Sequence, residues 1–227
     1  MGHPALARKS ILRDAKFPPT AIAIRYEEAR AAVVARLAGV ENALDNAVAK
    51  LRRKSETAIT DYWRKNCDLC IDAIESFRGG IACLGPGKTK FRKPDLHNTK
   101  LKISEVNVSV SIDLMTEETD RNGKRSIGAA ILVFSRSVNN QKEMERRCKT
   151  IALLIFQLLK SQANTSPLVD ASLCIGVDVF NAKIYRAITP QVRLLRTVET
   201  SCEEVANLWP SIKPPVNYKG PPILKIA

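Results

Sequence analysis

Histidine is nearly missing: only His3 and His97 carry an imidazole in 227 residues. Ser-His-Asp and Cys-His relays need that group to take a proton, so acyl-transfer chemistry is set aside at once. Long apolar runs are missing too. The longest, Ile151 to Leu159, contains Gln157 and falls far short of the roughly 20 residues that span a bilayer, so no membrane contact is expected. The first ten residues hold charges and a proline without an apolar core, and no secretory signal is expected there. The six cysteines are scattered rather than dense, so reduced thiols and a cytoplasmic location are the expectation.

Positive charge is abundant. The formal charge is +13 and the pI is near 9.7. Residues 1–104 contribute +9 (20 basic, 11 acidic) and the remainder +4 (16 basic, 12 acidic), so the excess lies toward the N-terminal half. A basic surface attracts polyanions by counterion release, which makes DNA or RNA the expected partner.

Along the chain, residues 1–20 read as a basic, flexible arm carrying Arg8, Lys9, Arg13 and Lys16 before Pro18-Pro19. Residues 21–80 read as two helices or one bent helix. Their first seam is Val33, Leu37, Val40, Leu44, Ala47 and Leu51, and their second is Ile59, Trp63, Cys67, Cys70, Ile74 and Phe77. Such seams also permit an alternative role, a homo-oligomer assembled through residues 24–78. Between the seams stands the basic cluster Arg52-Arg53-Lys54, and Gly79-Gly80 marks the helix stop. Residues 81–100 read as a basic connecting loop with Lys88, Lys90, Arg92 and Lys93 around Phe91, a second candidate contact for a nucleic-acid backbone.

Two motifs in this stretch have bland explanations. Cys67 and Cys70 have zinc-knuckle spacing, with Cys83 and His97 available to complete four ligands, but both lie on the apolar side of a helix and later spacings fit no ribbon or finger. Gly85-Pro86-Gly87-Lys88-Thr89 resembles the end of a phosphate loop, but Ala82 stands where glycine is needed and no helix follows. Neither a zinc nor a nucleotide site is expected.

Residues 101–210 read as a sheet domain. From Val106 to Leu114 apolar residues alternate with Asn107, Ser109, Ser111 and Asp113, as in a half-buried strand. Asn122-Gly123 suits a type I′ turn, and Ile127 to Phe134 is apolar on both faces, as a central strand must be. Gln141 to Gln162 follows as an amphipathic helix, Ser172–Phe180 and Lys183–Ile188 as a hairpin around Asn181-Ala182, and a short helix begins at Ser201. Residues 211–227 form a proline-rich tail. The fold class is α/β (α+β): a helical N-terminal region, then a mixed sheet of four or five strands covered by helices.

A strand ending in Asp113, a glycine turn, a buried strand, an amphipathic helix and a closing hairpin together resemble the core of the restriction-endonuclease-like, PD-(D/E)XK, superfamily over residues 60–190. The resemblance implies a magnesium-dependent nuclease in which Asp113 matches the strand aspartate and Glu75 the helical acid, with Asp178 or Glu105 as relocated acids. The acid-x-lysine of that family has no counterpart. Ile131-Leu132-Val133-Phe134-Ser135-Arg136 stands in its place, and one strand carboxylate holds magnesium poorly. The implied molecule is a degenerate, non-cleaving relative without metal or other cofactor, and the active nuclease centred on Asp113 is the alternative. In simpler roles, Asp113 closes a strand at the solvent face and Asp178 caps the turn at Asn181.

Overall fold

The structure is a computed structural model, and it describes residues 5–17, 26–80, 89–96, 99–135, 141–162, 168–188, 192–216 and 218. Two compact units divide the chain. The larger comprises residues 25–101 and 109–192; the smaller comprises residues 1–24, 102–108 and 193–227.

Among the described residues, the helical region of the larger unit holds three helices where two or one were expected: α2 (Glu27–Leu37), α3 (Ala43–Glu56) and α4 (Asp61–Gly80). The first seam breaks because Gly39 takes a left-handed conformation (φ 99°), ending α2 and turning the chain into α3. Val33, Leu44 and Leu51 are buried on either side of the break, whereas Val40 within it is exposed. Along α4 the seam holds from Cys67 through Cys70, Ile74 and Phe77 and fails at its start, where Ile59 and Trp63 stand in solvent.

The sheet follows the order β1 (Lys90–Arg92), β4 (Leu114–Thr119), β5 (Arg125–Val133), β7 (Ile175–Asp178), β8 (Lys183–Arg186), with the two-residue β6 (Leu168–Val169) beside β5. β1, β4 and β5 are antiparallel neighbours, whereas β5 and β7 run parallel, joined through α5 (Gln141–Gln162). This is a mixed sheet with helices on both faces. Leu114, Ala130, Leu132, Ile175 and Val177 pack with the α2–α4 layer. Val133 packs with Met144 and Cys148 of α5. Consecutive side chains of a strand point to opposite faces, so the central stretch of β5, from Ile127 onward, carries no polar side chain on either face. At Gly176 an added Cβ would lie 2.5 Å from the carbonyl oxygen of Cys148, so the approach of α5 to β7 requires glycine.

Three further expectations are corrected. The strand read from Val106 to Leu114 is divided: β3 (Val106–Ser109) pairs with β2 (Lys100–Ile103) as a separate ribbon, and the sheet strand begins at Leu114. Alternation alone cannot reveal such a change of partner. At the β4–β5 turn only Gly123 is left-handed (φ 78°), so the turn is not type I′; the Asp120 carboxylate closes it by accepting the N–H groups of Asn122 and Lys124, each at 2.8 Å. The loop expected over 81–100 contains β1, an edge strand whose Phe91 lies opposite Thr116.

In the smaller unit, the expected flexible arm is a helix, α1 (Ala5–Lys16). Arg8 pairs with Glu204 of α6 (Val192–Leu208), and Lys16 Nζ donates to the carbonyls of Trp209 (2.6 Å) and Ile212 (3.1 Å). Phe17 is buried, with its ring edge-on to Tyr218 at 5.3 Å. These C-terminal partners are too distant in sequence for a local reading to supply. α6 starts nine residues before Ser201, at Val192.

Candidate nucleic-acid interface

α3 is amphipathic in the simplest sense. Leu44, Val48 and Leu51 recur at helical spacing and are buried, which turns the opposite face outward. That outer face lines a shallow groove of about 450 Å³ with Asn46, Ala49, Lys50, Arg53, Lys54 and Thr57. Lys54 Nζ donates to Glu28 Oε1 at 2.8 Å, and this bond holds the Glu28 carboxyl below the usual carboxylate range and the Lys54 ammonium above its own. Lys50, Arg52 and Arg53 are exposed and make no ion pair with a described residue. The groove therefore offers two cations outside any ion pair with a described residue, Lys50 and Arg53, beside neutral hydrogen-bonding groups, while Arg52 is exposed but does not line it. Of the triplet Arg52-Arg53-Lys54 expected as a contact, Arg53 and Lys54 line the groove and Arg52 does not. Lys50 and Asn46 were not singled out, although they lie one and two turns back along the same face.

The second basic segment is more engaged. Lys90 and Lys93 are exposed on and just after the edge strand β1. Arg92 is committed to Asp95 at 2.9 Å and sits 3.8 Å from Glu117. Lys88 lies outside the described residues, as do Cys83, His97 and Arg136.

The four acids named for the nuclease alternative serve separate structural tasks, and Glu105 is exposed, 3.5 Å from Lys102. Asp113 precedes β4; its N–H donates to the carbonyl of Ala130 (3.0 Å), and its Oδ2 accepts the N–H of Leu132 (2.7 Å) and Arg30 Nη1 (2.5 Å). The Arg30 guanidinium lies 5.0 Å from the Phe134 ring, on which Tyr26 stacks. Asp178, almost fully buried at the end of β7, accepts Asn181 N–H (3.2 Å) and Asn181 Nδ2 (2.7 Å), and so caps the turn to β8. Glu75 is exposed on α4, 3.5 Å from Arg78, which also holds Asp45 at 2.7 Å.

Among the described residues no three His, Cys, Asp or Glu side chains are grouped to hold a metal ion. At Asp113 an arginine already occupies the position of a counter-charge. This donor set does not fit magnesium, whose octahedral shell needs several oxygen ligands around one point. Beside Asp113 lies a cleft of about 350 Å³, with Arg30, Ser109 and Ser111 around Val110, Ile131, Ile151 and Leu154.

Cys67 and Cys70 are buried, and burial pushes the Cys70 thiol up to about 11. They pack as small apolar groups in the core shared by α2, α3 and α4. Among the described residues no helix is long and apolar enough to cross a membrane. No protein-family model matches the chain, and neither does any curated protein or solved structure.

Proposed function

We propose that the protein is a non-catalytic nucleic-acid-binding module, built on a degenerate restriction-endonuclease-like core and working in the cytoplasm. The observation that carries this reading is the groove on α3, where Lys50 and Arg53 face solvent and make no direct ion pair with a described residue, although the Lys50 charge is felt at Glu28. Cations left unmatched on one helix face are available to phosphates, and each phosphate neutralised releases counterions. Lys90 and Lys93 add charge on the sheet edge. The fixed partners of Asp113 weigh against the nuclease alternative, because a hydrated metal would have to displace Arg30. Assembly through residues 24–78 has less support: Val33, Leu44, Leu51 and Ile74 are spent within the unit's own core.

A titration of labelled DNA and RNA across salt, with magnesium in half of the samples and Asp113→Asn alongside, tests the proposal. The expected result is binding without cleavage, with log affinity falling by about 0.7–0.9 per phosphate contact for each log unit of salt. Absence of binding at low salt overturns the proposal. Magnesium-dependent cleavage lost in Asp113→Asn would establish the nuclease instead.

A further inference from the structure

The corner between α3 and α4 combines two features seldom left together in water. Ile59 is 97% exposed and Trp63 57% exposed, although Trp63 begins the same helical seam that is fully buried from Cys67 onward. The indole stands edge to face with Tyr62, with ring centroids 5.4 Å apart and planes at 72°. Such packing restrains the indole while more than half of the residue stays in solvent. Residues 50–65 also carry six basic and two acidic side chains, a local charge of +4. Asp61 of the two acids is already paired with Arg64 at 2.8 Å.

We infer that this corner binds single-stranded nucleic acid, with Trp63 stacking on an unpaired base while Lys50 and Arg53 hold the backbone along α3. The inference rests on the nucleic-acid reading above and specifies the form of ligand. Sequence-tolerant strand binding requires an exposed aromatic and a positive groove, because every base has a π-face and every nucleotide a phosphate, and Trp63 follows the last groove residue, Thr57, by six positions. A duplex keeps its bases stacked inside and has no use for the indole. The geometry also favours a strand over an anionic membrane. Interfacial helices bury an apolar stripe along their whole length, whereas the outer face of α3 is Asn46, Ala49, Lys50, Arg53 and Lys54, with the small Ala49 as its apolar member and the large exposed apolar side chains, Ile59 and Trp63, at the corner. At about 1.5 Å per residue, the 14 residues of α3 span roughly 20 Å, room for a few extended nucleotides.

Fluorescence polarisation with labelled oligo(dT), oligo(U) and a duplex of equal length tests this on the full chain and on Trp63→Phe, Trp63→Leu and Lys50→Ala/Arg53→Ala. Trp63→Phe should keep single-strand affinity within about threefold, whereas Trp63→Leu, equally apolar but without a π-face, should lose on the order of tenfold or more. Duplex affinity should change less than twofold in both. The double cation variant should reduce the single-strand salt slope by about 1.4. Equal single-strand binding by Trp63→Leu and Trp63→Phe overturns the stacking inference, while the broader reading stands if the cation variant still weakens binding. No binding of any oligonucleotide at low salt overturns both. Co-sedimentation with phosphatidylserine vesicles in place of oligonucleotide binding would assign the corner to a membrane surface.

Discussion

Charge is handled in opposite ways in two regions of the larger unit. Around Asp113 and Asp178 every carboxylate is matched: one by Arg30 and a strand N–H, the other by the turn it caps. Along α3, Lys50, Arg52 and Arg53 make no direct ion pair with a described residue, and only the charge of Lys50 is felt at an acid, Glu28. Matched charge maintains the fold, because a buried acceptor without a donor costs desolvation energy. Unmatched surface charge contributes almost nothing to the fold, so its value lies in what it can attract.

The contrast can be tested at each level, starting where no charge is tolerated. Burial raises the thiols of Cys148 and Cys174 to about 12 and of Cys70 to about 11, from an ordinary 9.0. Their folded pKa values lie above the unfolded ones, so this stability is complete below pH 9 and is lost as pH climbs toward 12. Urea midpoints measured from pH 8 to pH 11 should fall steadily, and Cys148→Ala should flatten that fall; a level profile would contradict the buried thiols.

Removing matched charge comes next. Asp113→Ala leaves the N–H of Leu132 without its acceptor and should lower unfolding free energy by about 2 kcal/mol, read from urea melts, with Asp113→Asn recovering part of it. If Asp113→Ala is as stable as the parent, the carboxylate is not structural and its chemistry must be reconsidered.

The exposed Lys54–Glu28 pair should matter little. Lys54→Ala should cost about 0.5 kcal/mol or less, screened by salt. Because Lys54 depresses the Glu28 pKa, the pair's contribution is present above about pH 4.5 and lost below it, which a melting series from pH 3 to pH 6 can follow. Smallest of all in stability is Lys50→Ala/Arg53→Ala, expected within about 0.5 kcal/mol of the parent. Its full effect should appear in the salt dependence of nucleic-acid binding, and a large loss of stability would remove the contrast between the two regions.

Much of this was legible in the residue order. Two-sided apolar character put β5 at the centre of the sheet, the spacing of Cys67, Cys70, Ile74 and Phe77 placed the buried side of α4, and Asn181 marked a turn capped by Asp178. Each is a local periodicity or a local hydrogen bond, and short-range sterics suffice to write it into the chain. The rest depends on partners distant in sequence. Val106–Leu114 alternates without interruption, yet its first half pairs with β2 and its last residue enters the sheet. Residues 5–16 look like a free basic arm until Glu204 and the carbonyls of Trp209 and Ile212 receive their cations. Trp63 sits in register with a buried seam, and only the limit of the packed core decides that it faces water. Composition and periodicity thus determine which residues want burial and which element they form, while the tertiary arrangement decides which of those demands are met, because burial and charge matching belong to contacts across the chain.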